Sequence, residues 1–225
     1  MSLWIKICAN TTLEDARLAA DAGADAVGFV FAPSPRRVTA AHVAEIVPYL
    51  PPALEKIGVF VDADFDEIAS TVRICGLTGV QLHSDASSET PSRLRADFGS
   101  ALRILRVVHF GPDAAEQAAT ITKDPNIDRV LVDSRTATAV GGTGITFDWA
   151  AARNTLFGDN RNMRMVVAGG LNPDNIAEAI TTLRPWGIDV VSGVEAAPGR
   201  KDPAKVHAFV AAARETFSHG NLPIR

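Results

Sequence analysis

Short apolar runs alternate along this chain with segments whose apolar residues recur at helical spacing, and turn residues separate the two. Leu3 to Ile7 is a β-type run, and period-2 alternation puts Trp4, Lys6 and Cys8 on one face with Cys8 closing the strand. Thr11 with Glu14 forms a capping-box pattern that opens a helix to about Ala22, and Gly23 is its left-handed stop. Ala26 to Phe31 predicts the second strand, and Pro33 and Pro35 hold the next segment in a non-helical loop that carries Arg36 and Arg37. Thr39 starts a helix reaching about Tyr49, and Pro51 and Pro52 break it before a third strand, Lys56 to Val61. A helix from about Phe65 to Ile74 leads to the fourth strand, Val80 to His83, on which Gln81 and His83 share a face.

The alternation continues to the end. A helix near Pro91 to Phe98 precedes a fifth strand, Arg103 to Val108, and Asp113 to Thr122 is helical. Arg129 to Val132 is the sixth strand, with Asp133 where it must end. Ser134 to Val140 is then a small, polar loop expected to act as a lid, and Gly141, Gly142 and Gly144 precede a helical pattern from Phe147. Arg164 to Ala168 is the seventh strand, followed by Gly169 and Gly170, with Asn172 capping a helix to about Leu183. Gly187 to Val191 is the eighth, and Pro203 to Thr216 is the last helix.

Eight strand-helix pairs in 225 residues leave about 28 residues each, enough for one closed (β/α)8 TIM barrel, an α/β fold, spanning 1–225 as a single domain. The entries to strands two, four, six and eight look alike: Gly23 to Asp25, Gly76 to Gly79, Asn126 to Asp128 and Gly187 to Asp189. A helix stop followed by a tight turn into a strand explains each locally, so the echo need not be ancestral repetition.

Composition narrows the function class. The 22 basic and 26 acidic residues give a net charge of −4 with no basic run, which argues against nucleic-acid and anionic-membrane partners. Two cysteines form neither a disulfide framework nor a metal or redox motif, and no apolar run approaches the roughly 20 residues of a membrane span. The expectation is a cytoplasmic protein, monomeric or homodimeric, acting on a small phosphorylated molecule.

In barrels of this kind functional groups collect at the C-terminal ends of the strands. Cys8, Gln81, His83, Asp133, Gly169, Gly170, Ser192 and Gly193 fall there, with Arg36 in the second βα loop. Cys75 ends a helix, on the opposite face, and reads as packing. Cys8 is open between a core thiol and a catalytic group. Asp133 reads as functional because no helix follows it directly. Arg36 is either a solvated charge or a fork for a carboxylate. Lys6 is an interior ion-pair partner or an active-site cation, and Asp189 lines the barrel or occupies a turn. Glycines at 142, 144, 169, 170 and 193, with Ser192, converge as an anion cradle after strands six, seven and eight.

Lys6-Ile7-Cys8, Ser34-Pro35-Arg36, Gln81-Leu82-His83, Leu131-Val132-Asp133-Ser134, Gly141 to Gly144, Ala168 to Leu171 and Asp189 to Glu195, in that order, resemble the phosphoribosylanthranilate isomerase family, as does Pro198 to Asp202. The resemblance spans residue 5 to about 202. It departs at Ala9-Asn10, where the family usually has glycine after the cysteine, so the backbone there is in question. The resemblance implies an Amadori rearrangement in tryptophan biosynthesis that needs one acid, one base, no cofactor and no metal. Asp133 would protonate the ribose ring oxygen and Cys8 would remove the C2′ proton, which asks for a protonated carboxyl, a thiolate, and pKa values pushed in opposite senses. Arg36 would hold the anthranilate carboxylate, Lys6, Gln81, His83 and Asp189 would contact substrate, and the glycine loops would hold phosphate. The rivals are an indole-glycerol-phosphate synthase or ribulose-phosphate epimerase type of barrel and a non-catalytic phosphosugar-binding barrel. The first rival usually carries a longer N-terminal extension, and the second needs metal-binding His and Asp at several strand ends.

Overall fold

Eight parallel strands close into a barrel in the order of the chain in the computed structural model, which describes residues 2–83, 89–134, 148–158 and 163–219. The strands are β1 Trp4–Ile7, β2 Ala26–Val30, β3 Glu55–Phe60, β4 Gly79–Leu82, β5 Arg103–His109, β6 Arg129–Asp133, β7 Arg164–Val167 and β8 Gly187–Val190. Helices α1 Leu13–Asp21, α2 Ala40–Ile46, α3 Phe65–Cys75, α4 Thr90–Phe98, α5 Ala114–Ile121, α6 Trp149–Ala152, α7 Ile176–Leu183 and α8 Pro203–His219 follow them one by one. The short apolar runs of the sequence are continuous because such strands are covered on both sides, by helices outside and by each other within. Trp4, Ala26, Ile57, Leu105, Val107, Leu131, Val166 and Ala168 fill the interior, and a larger apolar layer joins the outer strand faces to the helices. This is the (β/α)8 barrel that the alternation predicts.

Three local readings need correction. The first helix is capped by Thr12, whose hydroxyl accepts from Asp15 N, and not by Thr11 with Glu14; the Thr11 hydroxyl donates instead to Gly199 O at 2.5 Å. Two hydroxyls in a row offer two caps, and tertiary contact with Gly199 takes the first of them. Asn172 caps a turn rather than a helix: its Oδ1 accepts from Asp174 N and Asn175 N, and α7 begins at Ile176. The third concerns the echo. Asp25 Oδ2 accepts from Ile5 N, Thr78 Oγ1 from Lys56 N and Asp128 Oδ2 from Ile104 N, so at strands two, four and six a side chain caps the first open N–H of the preceding strand. At strand eight the matching position in the ladder is Trp186, whose N–H donates to Met165 O, after a left-handed Arg184. Gly187 therefore starts β8, and Asp189 lies two residues inside it, a residue of the barrel interior rather than of a turn.

Trp186 stacks on Trp4 with centroids 5.5 Å apart at the floor of the barrel, and the Arg129 guanidinium lies over both rings. Arg129 also forks onto Glu55. This end is closed, which leaves the C-terminal ends of the strands as the open face.

Candidate active site

Inward positions on neighbouring strands determine what meets at the open end. Lys6 is paired in register with Asp189, and both side chains point inward, two residues above the Trp4 and Gly187 positions. Lys6 Nζ lies 3.0 Å from Asp189 Oδ2 and donates to Gln81 Oε1 at 2.8 Å, with no exposed surface of its own. Both of its partners are protein groups. Burial by itself lowers the Lys6 ammonium, but the Asp189 charge and the neighbouring Cys8 outweigh it and keep the group above its ordinary value. Asp189 Oδ1 remains buried without a partner among the described residues.

Cys8 follows on the same inward face and is 2% exposed. Its sulfur is crowded against β2, where a Cβ built on Gly28 would fall 2.4 Å from Sγ and 3.0 Å from Lys6 Cε. The expected thiolate is corrected here. Burial pushes the Cys8 thiol above its ordinary value; Lys6 and Lys201 pull it down and Asp189 adds to the rise, and burial wins because the anion has lost its water. Cys75 is buried at the end of α3, donates to Ala40 O and is pushed up to about 11 by burial, in keeping with packing.

Asp133 ends β6, buried, in register with His109 of β5, and His109 leans on His83 with ring centroids 5.8 Å apart. His109 Nδ1 is buried without a partner among the described residues. The sequence reading did not single out His109, although parity from Leu105 and Val107 brings it to the inward face.

Arg36 is not a solvated charge. Its Nε donates to Glu195 Oε1 at 2.8 Å and its Nη2 to Glu195 Oε2 at 2.7 Å, the fork geometry of a bidentate pair. Glu195 begins a small hairpin, β9 Glu195–Ala197 with β10 Arg200–Lys201, which turns at the left-handed Gly199. Its carboxylate also accepts from Gly199 N and from the buried Lys201 Nζ. Burial lowers the Lys201 ammonium in spite of Glu195 and Cys8. The sequence assigns no role to Glu195 or Lys201; their one signal there is an Ala-Pro-Gly turn between opposite charges.

On the other side, Gly169 and Gly170 both adopt left-handed conformations. A Cβ on Gly169 would fall 2.0 Å from Ser134 Oγ, so the loop after β7 presses on the residue next to Asp133. Ser192–Val194 forms one tight helical turn after β8, and a Cβ on Gly193 would fall 1.9 Å from Leu171 O. Glycine is required at both contacts, and the two loops interlock into one backbone surface. Gly142, Gly144 and residues 135 to 140 of the expected lid lie outside the described residues. Among the described residues no helix is long and apolar enough to cross a membrane.

Comparison with known proteins agrees with this geometry. Residues 5–212 match the family model described as N-(5'phosphoribosyl)anthranilate (PRA) isomerase. The N-(5'-phosphoribosyl)anthranilate isomerase of Magnetococcus marinus is 43% identical over 224 residues, covering 99% of this chain and 100% of the relative. The crystal structure of phosphoribosyl anthranilate isomerase from Thermotoga maritima superposes with a TM-score of 0.81 at 33% identity, covering 95% of this chain and 99% of that one. A structure of such an isomerase in complex with reduced 1-(o-carboxyphenylamino)-1-deoxyribulose 5-phosphate gives a TM-score of 0.77 at 33% identity, over 95% and 99% of the two chains. With the family model matched from β1 into α8 and the relatives covered almost end to end, the chain belongs to the N-(5'-phosphoribosyl)anthranilate isomerase family of tryptophan biosynthesis.

Proposed function

We propose that this isomerase converts N-(5'-phosphoribosyl)anthranilate to 1-(2-carboxyphenylamino)-1-deoxyribulose 5-phosphate with Asp133 as acid and Cys8 as base, the whole chain working as one domain. The observation that carries this reading is that Cys8, just past the end of β1, and Asp133, at the end of β6, stand at the same C-terminal rim of the barrel as the Arg36–Glu195 fork and the interlocked loops of Gly169 and Gly193.

Asp133 gives a proton to the ribose ring oxygen, and the lone pair of the anthranilate nitrogen opens the ring to an iminium. That cation arises beside a thiol whose burial disfavours charge, and it favours the thiolate while acidifying the C2′–H bond. Cys8 reacts as its thiolate, the S–H proton having first passed to solvent, and takes the C2′ proton; the C–H electron pair forms the C1′–C2′ double bond and neutralises the iminium, and the enol then tautomerises to the ketone. Lys6, held by Asp189 and by Gln81 Oε1, also acts on the Cys8 thiol. Asp189 Oδ1, buried without a partner among the described residues, takes a substrate hydroxyl. Arg36, oriented by Glu195, takes the anthranilate carboxylate, and Gly169, Gly170, Ser192 and Gly193 take phosphate. Holding both ends of the substrate fixes the ribose between acid and base.

Turnover followed by loss of phosphoribosylanthranilate fluorescence tests the assignment. Cys8→Ala and Asp133→Asn each lose about 10²–10⁴-fold in kcat, the usual worth of a positioned acid or base. Cys75→Ala keeps wild-type turnover. A fully active Cys8→Ala enzyme would sink the base assignment.

A further inference from the structure

Alternation of the backbone along β1 breaks immediately after Cys8. Cys8 N–H donates to Val190 O of β8 at 2.9 Å. Successive N–H groups of a strand point to opposite neighbours, so Ala9 should donate next to β2 and Asn10 to β8. Asn10 N–H donates instead to Gly28 O of β2, at 2.9 Å. One residue has been taken out of the ladder in the manner of a bulge, and it is Ala9, whose φ of +61° lies in the left-handed region that crowds a Cβ.

The Asn10 side chain holds this irregularity in place. It is fully buried, and its Nδ2 donates to Ile7 O at 2.8 Å and to Gly28 O at 3.2 Å. Both partners are carbonyls, so only the amide nitrogen can face them. The amide thereby ties the carbonyl just before Cys8 to the same Gly28 against which the Cys8 sulfur packs. Its remaining atom, Oδ1, is buried without a partner among the described residues. A left-handed alanine and an unpaired buried acceptor are both local costs, and they coincide directly behind the thiol. Strained geometry of this kind persists only where surrounding contacts over-determine it, and it concentrates where geometry serves function.

We infer that Asn10 is a positioning residue for the isomerase reaction, an amide clamp that holds Ala9 left-handed so that the Cys8 sulfur stays in line with the substrate. It takes over the part that a glycine at position 9 would play without a clamp. The inference rests on Cys8 being the base, and the two are separable: a fully active Cys8→Ala enzyme refutes the base, whereas the clamp is judged by coupling between positions 9 and 10.

Steady-state kinetics and thermal melts of wild type, Ala9→Gly, Asn10→Ala and the double variant provide that test. Asn10→Ala is expected to lose about tenfold or more in kcat, the scale of a small misplacement of a reacting group, with KM held within about threefold. In the Ala9→Gly background the same change is expected to cost less than about threefold in kcat, because glycine adopts the conformation without a clamp. A lowered Tm with unchanged kcat in Asn10→Ala would overturn the inference, as would an equal kcat loss in both backgrounds. If Asn10→Ala alone does not fold, the double variant decides: kcat near that of Ala9→Gly supports the clamp, and a folded but slow double variant refutes it.

Discussion

Gly28 carries no side chain because Cys8 and Lys6 occupy the space. Its missing Cβ would meet Cys8 Sγ at 2.4 Å, Lys6 Cε at 3.0 Å and Cys8 Cα at 3.1 Å, and one of those contacts is backbone that cannot swing aside. Gly28→Ala therefore pushes β1 and its thiol away from the ion pair. We expect a kcat loss of about 10²-fold, in line with an ångström-scale displacement of a reacting group, with a smaller change in KM; wild-type turnover in a folded Gly28→Ala enzyme would mean that the sulfur is not held where β2 packs. The sequence shows Gly28 as one residue in an apolar run and gives no hint of this contact. Inward parity alone linked Lys6 to Cys8, but the choice between ion-pair partner and active-site cation depended on Asp189 and Gln81, which lie 183 and 75 positions away in the chain.

At the scale of elements, the β9–β10 hairpin carries the carboxylate that orients Arg36, although it belongs to no strand of the barrel. Burial would raise the Glu195 carboxyl, but hydrogen bonds from Arg36, the Lys201 charge and Gly199 N hold it below its ordinary value. A group lowered on folding contributes stability that is complete above its unfolded pKa and is lost as pH falls through the folded value. Glu195→Gln should lower Tm at neutral pH and flatten the loss of stability that wild type shows below about pH 4.5. The same change frees the Arg36 fork, so KM for phosphoribosylanthranilate should rise by about tenfold, the worth of one charge-assisted contact, while kcat changes less. An unchanged KM would detach Arg36 from the substrate carboxylate. The helix after this hairpin was readable from Pro203, but neither the hairpin nor its partner was, since Arg36 lies 159 residues earlier.

For the whole molecule, chemistry and stability separate to opposite ends of the barrel. The floor is Trp4, Trp186, Glu55 and Arg129, with the guanidinium 4.4 Å and 4.8 Å from the two indole rings. Arg129→Ala leaves Glu55 and a Trp–Trp stack without the cation between them. Arg129 is buried but the Glu55 side chain is 23% exposed, so breaking the pair costs about 1.5–3 kcal/mol, which lowers Tm by roughly 3–12 °C for a domain of this size. Turnover at 25 °C should be unaffected, because no group at the open end moves; a parallel loss of kcat would show that the two ends are coupled.

The sequence by itself determined the architecture and the short list of chemical groups. Strand and helix periods are local, a closed eight-unit barrel is what that alternation builds, and strand parity assigns each residue to the inside or the outside without any knowledge of neighbours. Tertiary structure decided the states and partners of those groups. Burial turned the expected Cys8 thiolate into a thiol with a raised pKa, because desolvation depends on what surrounds the sulfur and not on its flanking residues. Register decided between the two places open to Asp189, putting it in the interior beside Lys6 and not in a turn, and it brought His109 next to Asp133. Ala9 and Asn10 show the division most plainly: the sequence marks a departure after Cys8, and only the fold reveals a left-handed alanine held by an amide that bonds two strands at once.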